Sequence, residues 1–433
     1  MNKRILQLAV PSILANITVP LVGMVDLIIA GHLGNAVFIG GIAIGGMLFD
    51  LMYWNFGFLR VGTSGFTAQA YGKRDFSEAV KVLVQSLGTG FASALFLLLI
   101  QYPFIFVAFK MIDCSPEVAN MARTYFFIRI WAAPATLSLF VLKGWFIGMQ
   151  NSISPMILDI TVNVCNVAFS LLFAITFDMN IAGIALGTIC AQYSGLLTGL
   201  FLLVYKYGKL RKHLRIKESL VLRDMRNFFT VSGDLFIRSI CFLCIYVGVT
   251  TFSAKMGDVS LAVNAIMMKL ILLYSYFVDG FAYAGEALTG RYIGAKDLTS
   301  LRRTVRLLFT WCIGIGIVST ALYAFGDKAL LSLMTSDKIV LAAATPLLGW
   351  LLIMPIVSCI AFTWDGIYIG ATASQPLRNV MLLSVLAFFI CYYCTIDYIG
   401  IHAIWTAFIA HIVIRSIGLT SLAKKSIYQK AEV

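Results

Sequence analysis

Long apolar runs that recur along almost the whole chain constrain its fold more than any other feature. A helix needs about 20 apolar residues to cross a bilayer. Only 12% of the 433 residues are charged and 60% are hydrophobic, whereas a soluble chain of this size would need more charge to cover its surface. The sequence therefore predicts an all-α polytopic membrane protein with 12 transmembrane helices. Their centres lie near residues 18, 48, 93, 135, 165, 193, 243, 275, 314, 350, 386 and 410.

The chain also repeats itself. The segment "TAQAYGKRD" (67–75) aligns with "TGRYIGAKD" (289–297), and "GWFIGMQNS" (144–152) aligns with "GIYIGATAS" (366–374). Both alignments have the same offset along the chain, which we call the repeat offset. Each match is weak alone, but the shared offset indicates a duplication. An even number of helices in each copy gives the two copies the same orientation, related by an axis along the membrane normal.

The duplication predicts three parts of the chain. Residues 1–208 form an N-terminal lobe of six helices, 209–224 a basic cytoplasmic linker, and 225–433 a C-terminal lobe of six helices. Two pseudo-symmetric lobes of this kind are typical of alternating access, which favours a transporter over a simple channel or a scaffold.

Basic residues occur in alternate loops and indicate the orientation. Lys and Arg concentrate in segments 72–75, 206–226, 291–303 and 423–430, whereas the loops between them are poor in both. Because short basic loops stay in the cytoplasm, both termini are predicted to be cytoplasmic. The net charge of +13 is explained by this bias and by anionic headgroups. Membrane lipids are therefore expected as partners, and nucleic acid is not.

One aspartate, Asp26, interrupts the apolar run "PLVGMVDLIIAG" (20–31). A carboxylate at the centre of a bilayer costs about 2.5–3.5 kcal/mol on insertion scales, so a neutral residue would be cheaper there. Burial disfavours the ionised form, which makes the charge of Asp26 conditional on protonation. We therefore expect Asp26 to have a function beyond packing.

The fifth predicted helix has a polar face, because four polar residues follow the spacing i, i+4, i+7 and i+11. These residues are Asp159, Asn163, Asn166 and Ser170. Lipid cannot satisfy such a face, so it should point into the bundle. Thr188 and Gln192 lie one turn apart on the sixth helix, and with Asp26 they predict a polar pocket in the N-terminal lobe. For Asn163 and Gln192, hydrogen bonding that only fixes helix packing is an open alternative.

The C-terminal lobe has a polar stripe of its own, which we interpret as lining a cavity or its cytoplasmic mouth. The stripe lies on the eighth predicted helix and consists of Lys269, Tyr276, Asp279, Tyr283 and Glu286. Asp365 is a further cavity candidate, and its repeat partner is the oppositely charged Lys143. Asp234 and Arg238 have i,i+4 spacing, which favours an ion pair within one helix.

Neither cysteines nor histidines indicate a metal or cofactor site. The C-x-x-C pairs Cys241/Cys244 and Cys391/Cys394 lie inside apolar runs without ligand clusters, and the four histidines are scattered. A membrane-embedded transferase would gather His, Asp or Glu at one membrane face. We therefore predict no metal, no cofactor and no enzymatic activity.

Four motifs carry a family resemblance: "NITVPLVGMVDLIIAGHLG" (16–34), "TSGFTAQAYG" (63–72), "VDGFAYAGEALTG" (278–290) and "DGIYIGAT" (365–372). In these motifs the chain resembles the multidrug and toxic compound extrusion (MATE) family, in its DNA-damage-inducible F (DinF) branch. The resemblance runs from the first helix to the twelfth. It implies a V-shaped protein of two six-helix lobes that exports organic compounds in exchange for H⁺ or Na⁺.

The resemblance also implies roles for individual residues. It makes Asp26 the cation-coupling residue, with Asn166 and Thr188 completing its network. Relatives commonly carry a second aspartate where this chain has Ser170. Its loss weakens a Na⁺ site, which needs several oxygens and negative charge, more than it weakens a one-proton site. Asp159 could substitute for it at a different depth.

Two prolines give the first helix places to bend. The resemblance implicates Pro11 in bending, and Pro20 also interrupts the ladder of helical hydrogen bonds. Our hypothesis is that protonated Asp26 lets this helix bend toward Asn166 and Thr188 and so displaces substrate.

Together these features predict a proton-coupled antiporter of the bacterial inner membrane. It would export amphipathic, cationic organic compounds, including drugs and toxic amphipaths, from the cytoplasm as a monomer. Na⁺-coupled multidrug export is the alternative. A lipid-linked oligosaccharide flippase is favoured less, because such proteins tend to line the cavity with several basic residues, whereas here the acids at least match the bases.

Overall fold

The computed structural model describes the whole chain except residues 33–35, 113, 220, 335–336 and 433. The described residues form seventeen α-helices, joined by loops and by short 3-10 and π-helical turns, and contain no β-strand. The helices are α1 (Asn2–His32), α2 (Ala36–Trp54), α3 (Phe58–Gly72), α4 (Phe76–Met111), α5 (Pro116–Arg129), α6 (Ala133–Gly148), α7 (Ile153–Leu171), α8 (Asn180–Tyr207), α9 (Ile216–Ser219), α10 (Leu222–Lys255), α11 (Asp258–Gly294), α12 (Leu298–Met334), α13 (Lys338–Ala344), α14 (Leu348–Gly370), α15 (Ser374–Ile399), α16 (His402–Ala423) and α17 (Gln429–Glu432).

Twelve stretches of this helical chain are long and apolar enough to cross a membrane. Each of them contains one of the twelve predicted centres, so the predicted fold class is confirmed. Some spans are built from more than one helix. The second, Val37–Gly72, consists of α2 and α3 with a turn at residues 55–57 between them.

The surface of the molecule exposes many large apolar side chains, more than a protein surrounded by water would expose. Phe325 is 92% exposed, Tyr398 87% and Met111 81%, and many leucines, isoleucines and valines accompany them. Contiguous exposed apolar surface marks contact with a membrane or a partner. Together with the twelve spans, this surface identifies a multi-pass membrane protein.

The chain divides into two compact units. One consists of residues 14–228, and the other combines residues 1–13 with residues 229–433. Helix α1 therefore begins in one unit and ends in the other. The predicted linker, 209–224, lies within the first unit and includes residue 220, which is outside the described residues. The predicted division into lobes stays a prediction.

Each unit has an apolar core of its own. In the 14–228 unit the core includes Phe49, Phe126 and Trp145, which are at most 1% exposed. The 229–433 unit buries Phe388 and Trp405 completely. Aromatic side chains supply much of the buried apolar area at such sites, so each unit buries apolar surface of its own.

The backbone shows the duplication directly. Arg74 and Lys296 have positive φ angles of 59° and 54°, and Gln150 and Thr372 have positive φ angles of 63° and 48°. Both pairs are separated by the repeat offset. Because residues other than glycine rarely adopt a positive φ, its recurrence at equivalent positions shows that the same turns are built twice.

Two equivalent glycines allow close helix contacts in the two units. A Cβ atom on Gly144 would lie 2.2 Å from the carbonyl oxygen of Arg60, and one on Gly366 would lie 2.2 Å from that of Ala282. Real Cβ atoms do not approach oxygen so closely. The α3–α6 contact in one unit and the α11–α14 contact in the other therefore both require glycine. The two glycines, and likewise the two facing residues, are separated by the repeat offset.

Candidate functional site

Asp26 is buried within the 14–228 unit, with 2% of its surface exposed. Its carboxyl group is within hydrogen-bonding reach of Asn166 on α7 and of Tyr125 on α5, and the guanidinium group of Arg129 acts on it electrostatically. A buried charge needs such partners, because taking it out of water without them costs far more than folding can supply. Three helices therefore converge on this carboxyl group.

Asn166 and Thr188 join α7 to α8 beside Asp26. The Asn166 Nδ2 atom donates to Thr188 Oγ1 at 3.1 Å, and that hydroxyl donates to the Ile184 carbonyl oxygen at 3.1 Å. Asn166 is 0% exposed and Thr188 2%. The structure thus brings together the three residues that the resemblance grouped, and their role in cation coupling stays a prediction.

Ser170 lies one turn beyond Asn166, where α7 and α8 are in close contact. A Cβ atom on Gly187 of α8 would lie 2.5 Å from Ser170 Oγ and 2.6 Å from its backbone nitrogen. Ser170 is completely buried, and among the described residues its Oγ atom has no hydrogen-bond partner. Ser170 is therefore a small, neutral side chain at a close contact between two helices.

The sequence analysis missed the α5 members of this site, Tyr125 and Arg129. They lie one turn apart, and Arg129 Nη1 donates to the Tyr125 hydroxyl at 2.6 Å. Gly45 on α2 makes room for the tyrosine, since a Cβ atom there would lie 2.4 Å from the ring. The available signal was Arg129 itself, a lone basic residue in the apolar run "YFFIRIWAAP" (125–134).

Arg129 also connects Asp26 to a second carboxylate. The groups that act on its guanidinium are Tyr125, Asp26, Tyr53 and Asp50, the last two on α2. The guanidinium lies over the Phe49 ring, 4.7 Å from its centroid. With both aspartates ionised, this group of side chains carries one negative charge in excess of the arginine.

The remaining polar residues of the α7 face contact other helices. Asp159 forms an ion pair with Lys143 on α6, and both side chains are mostly buried. Asn163 Nδ2 donates to the Thr18 carbonyl oxygen of α1 at 3.1 Å. Gln192 is half-buried on α8. The contacts of Asp159 and Asn163 are of the kind that fixes helix packing.

The prolines of α1 lie inside one continuous helix. Neither Pro11 nor Pro20 has an N–H group, so neither can donate to the carbonyl one turn earlier. Near each of them a hydroxyl bonds a backbone carbonyl: Ser12 Oγ donates to Leu8 O at 2.8 Å, and Thr18 Oγ1 donates to Ala15 O at 2.7 Å. The boundary between the two units falls after residue 13, between these prolines. That helix α1 bends there stays a prediction.

The polar stripe of α11 becomes more buried along the helix. Lys269 is exposed, and Glu286 is only 1% exposed. The three residues between them in the stripe, Tyr276, Asp279 and Tyr283, are half-buried. The exposed start and buried end show that the stripe is not one uniform surface. Its role as a cavity lining stays a prediction.

Asp365 is held by two arginines from neighbouring helices of its unit. Its Oδ2 atom accepts from Arg238 Nη2 on α10 at 2.8 Å and from Arg415 Nη2 on α16 at 2.5 Å. Both guanidinium groups lie over the Phe242 ring, 4.9 and 4.7 Å from its centroid. This triad carries one positive charge in excess. It ties α10, α14 and α16 together.

The expected ion pair between Asp234 and Arg238 within α10 is wrong. Asp234 instead accepts from Arg378 Nη1 at 2.5 Å and from Ser374 Oγ at 2.6 Å, both on α15. The two residues pair across helices because each is directed toward a different neighbour in a bundle. Spacing along one helix could not show this.

No metal-ligand cluster was found among the described residues: they hold no group of three or more His, Cys, Asp or Glu residues that could bind a metal ion. Of the two C-x-x-C pairs, Cys241 is buried while Cys244 is exposed, and Cys391 is half-buried while Cys394 is exposed. That the protein works without a cofactor stays a prediction.

A duplicated bundle of twelve membrane helices, with a buried carboxyl group and its hydrogen-bonding network in one copy, is an architecture typical of membrane transporters. The MatE family model matches residues 11–172 and 235–393, one segment in each copy of the repeat. The chain belongs to the MATE family of membrane transporters, and the resemblance found in the sequence is confirmed.

Individual relatives agree with this assignment. The chain is 32% identical to the DNA damage-inducible protein F of Escherichia coli, over 98% of this chain and 92% of that one. It is 20% identical to the multidrug export protein MepA of Staphylococcus aureus, over 89% and 86% of the two chains. Among solved structures, the Vibrio cholerae MATE transporter VcmN in its bent form has a TM-score of 0.87 at 17% identity, covering 99% and 97% of the chains. A MOP superfamily transporter from Pyrococcus furiosus has a TM-score of 0.83 at 18% identity, covering 98% and 95%. These two structures share the fold.

Proposed function

We propose that the protein is a proton-coupled antiporter that exports amphipathic, cationic organic compounds from the cytoplasm. The observation that carries the proposal is the buried Asp26, whose hydrogen-bonding neighbours Asn166 and Tyr125 are neutral. A carboxyl group in such surroundings can exist in two states, ionised or protonated. The multidrug export described by the name of the staphylococcal relative supports the substrate class.

The network around Asp26 suits both of its states. The ionised carboxylate accepts hydrogen bonds from the Asn166 amide and the Tyr125 hydroxyl. The protonated acid is itself a donor, and Asn166 Oδ1 is a buried acceptor without a hydrogen-bond partner in the part of the chain that the structure describes. Asn166 can therefore form a hydrogen bond with Asp26 in either state. A proton can thus bind to Asp26 and leave it with little net loss of hydrogen bonds.

Proton uptake also changes the charge of the site. With Asp26 and Asp50 ionised against Arg129, the side chains attract a cation. Once Asp26 is protonated, Asp50 and Arg129 balance each other. A cationic substrate is therefore held less strongly by the protonated protein, and this difference in affinity is what exchange of substrate for proton requires.

The prolines of α1 provide a mechanical link from this charge to substrate release. Once protonated, Asp26 carries no charge and no longer needs the polar partners that an ion needs. The part of α1 between Pro11 and Pro20 can then change its bend. In our proposal the helix then moves toward Asn166 and Thr188 and displaces the substrate. The chain would act as a monomer in the bacterial inner membrane.

Counter-transport in proteoliposomes tests the cation. The purified chain is reconstituted with a fluorescent lipophilic cation such as ethidium, under an imposed proton gradient, an imposed Na⁺ gradient or neither. We expect uphill movement with the proton gradient alone, and none in liposomes that carry Asp26→Asn. Movement that requires Na⁺ and is indifferent to collapse of the proton gradient would contradict proton coupling.

Site-directed labelling tests the orientation. A single cysteine replaces Lys212 in a chain whose native cysteines have been substituted. We expect an impermeant thiol reagent to leave it unlabelled in intact cells and to label it after permeabilisation. Labelling from the external medium would reverse the proposed topology, in which both termini are cytoplasmic.

A further inference from the structure

We propose that Arg129 is the residue that makes the Asp26 site select protons over Na⁺. This inference rests on the proposed antiport and deepens it by naming the source of the cation preference. Arginine remains charged at every physiological pH. Its guanidinium thus supplies a permanent positive charge next to the coupling carboxylate.

The structure holds this guanidinium in place. Arg129 Nη1 donates to the Tyr125 hydroxyl at 2.6 Å, and Tyr125 in turn reaches the carboxyl group of Asp26. The guanidinium lies 4.7 Å from the centroid of the Phe49 ring and 5.4 Å from that of the Tyr125 ring. A hydrogen bond and two aromatic faces thus fix the charge beside Asp26.

A Na⁺ ion and a proton make different demands on such a site. Na⁺ is a hard cation that needs several oxygen ligands around it, together with compensating negative charge. Here Arg129 already compensates one of the two carboxylates, Asp26 and Asp50, that act on it. Only one negative charge then remains for a bound cation, and at the short distances of a coordination shell the guanidinium repels Na⁺. A proton forms a covalent O–H bond to a single carboxyl oxygen and needs no coordination shell.

The chain has no second negative charge at the equivalent step of α7. It carries the neutral Ser170 there, which is completely buried. Changing Arg129 is thus the direct way to alter the charge of the site.

Loss of the Arg129 charge should expose a latent Na⁺ site. It would leave the Asp26 carboxylate near the oxygen atoms of Tyr125, Asn166 and Thr188, without a fixed positive charge beside it. Carboxylate, hydroxyl and amide oxygens are the ligands that hard cations use in proteins. The expected change is a gain of function, which damage to the fold alone would not produce.

The experiment compares Arg129→Gln with Arg129→Lys in proteoliposomes at equal pH inside and outside. Lysine keeps the positive charge without the planar fork, so it is the matched control. We expect a Na⁺ gradient to drive ethidium transport at least 5-fold above background for Arg129→Gln. The wild type and Arg129→Lys should stay within 2-fold of background. Arg129→Met, whose apolar stem still covers the Phe49 ring, should behave like the glutamine variant if the latter reconstitutes poorly.

A pH profile gives a second readout. Removing a positive charge makes protonation of Asp26 easier, so the pH of half-maximal proton-driven transport should move upward in Arg129→Gln and move less in Arg129→Lys. A Na⁺ response equal in the lysine and glutamine variants would overturn the inference, and so would reconstituted glutamine and methionine variants with no Na⁺ response. A wild-type protein driven by Na⁺ would instead overturn the proposed antiport itself.

Discussion

The two units of this transporter hold charge clusters of opposite sign on the same duplicated backbone. In the 14–228 unit two carboxylates, Asp26 and Asp50, act on the single guanidinium of Arg129. In the other unit two guanidiniums, those of Arg238 and Arg415, meet on the single carboxylate of Asp365. One cluster has a carboxylate in excess, which a proton can neutralise. The other has an arginine in excess, which no proton can.

Equivalent positions show that the two copies differ in chemistry within one fold. At the repeat offset, the position equivalent to Asp26 is Gly248, and the one equivalent to Asn166 is Phe388. Phe388 is completely buried in the apolar core of its unit. The turns and glycine contacts that build the backbone occur in both copies, whereas the polar network occurs in only one. Duplication therefore specifies the scaffold and leaves the chemistry of each copy free to differ.

The largest expected effect is a loss of transport when the Asp26 cluster is changed. Asp26→Asn replaces the carboxyl group by a neutral amide of similar shape, so no charged form exists to exchange a proton. We expect uphill export in proteoliposomes to fall to background, a loss of at least 100-fold, while the melting temperature in detergent changes little. Export at the wild-type rate would show that Asp26 is structural and would remove the basis of the comparison.

The next largest effect is a loss of stability when the Asp365 cluster is changed. Asp365→Asn leaves two buried guanidiniums without their counter-charge, and breaking a buried ion pair in this way costs about 3–5 kcal/mol. We expect a clear fall in the denaturation midpoint in detergent, with Asp26→Asn as the control that barely moves it. The combined change Arg238→Met, Asp365→Leu and Arg415→Met should recover much of the loss, because no unpaired charge remains. A stable Asp365→Asn protein would mean that the triad does not hold α10, α14 and α16 together.

The sequence predicted the fold better than the site, for a physical reason. Apolar runs and a repeated offset are patterns along the sequence, and they were sufficient to predict the twelve spans and the duplication. The partners of a buried charge depend on three-dimensional packing, so the spacing of Asp234 and Arg238 suggested a pair that the bundle does not form. Arg129 was visible as a lone basic residue in an apolar run, but only the fold shows that it acts on Asp26.

A smaller effect tests whether the two copies share their scaffold energetics. A methyl group on Gly144 or Gly366 would lie 2.2 Å from a carbonyl oxygen of the facing helix, and overpacking of this kind costs about 1–3 kcal/mol. We expect Gly144→Ala and Gly366→Ala to lower the denaturation midpoint by similar amounts. Gly349 has open space around its Cα atom and lies on α14 with Gly366, so Gly349→Ala is the matched control and should be neutral or stabilising. Unequal losses in the two units would show that their helix contacts have diverged as their charges have.

The smallest effect concerns the caps of α4 and α12, which are equivalent in the repeat. Asp75 Oδ1 accepts from the Glu78 backbone N–H at 3.0 Å, and Asp297 Oδ1 accepts from the Ser300 backbone N–H at 2.9 Å. Replacing an N-cap aspartate by alanine costs about 0.5–2 kcal/mol, so Asp75→Ala and Asp297→Ala should cause comparable losses.

The pH dependence of the Asp297 cap gives the decisive control. Hydrogen bonds from Ser300 lower the pKa of the Asp297 carboxyl group, which lies between two membrane spans. A lowered pKa means that the cap stabilises the protein above the unfolded value of about 3.9, and that this contribution disappears as the pH falls toward the folded value. The difference in denaturation midpoint between the wild type and Asp297→Ala should therefore be full at pH 7 and shrink below about pH 4. Asp297→Asn keeps a capping oxygen and should lose little at pH 7. A loss in the alanine variant that stays constant down to pH 3 would show that packing, and not the ionised cap, stabilises the start of α12.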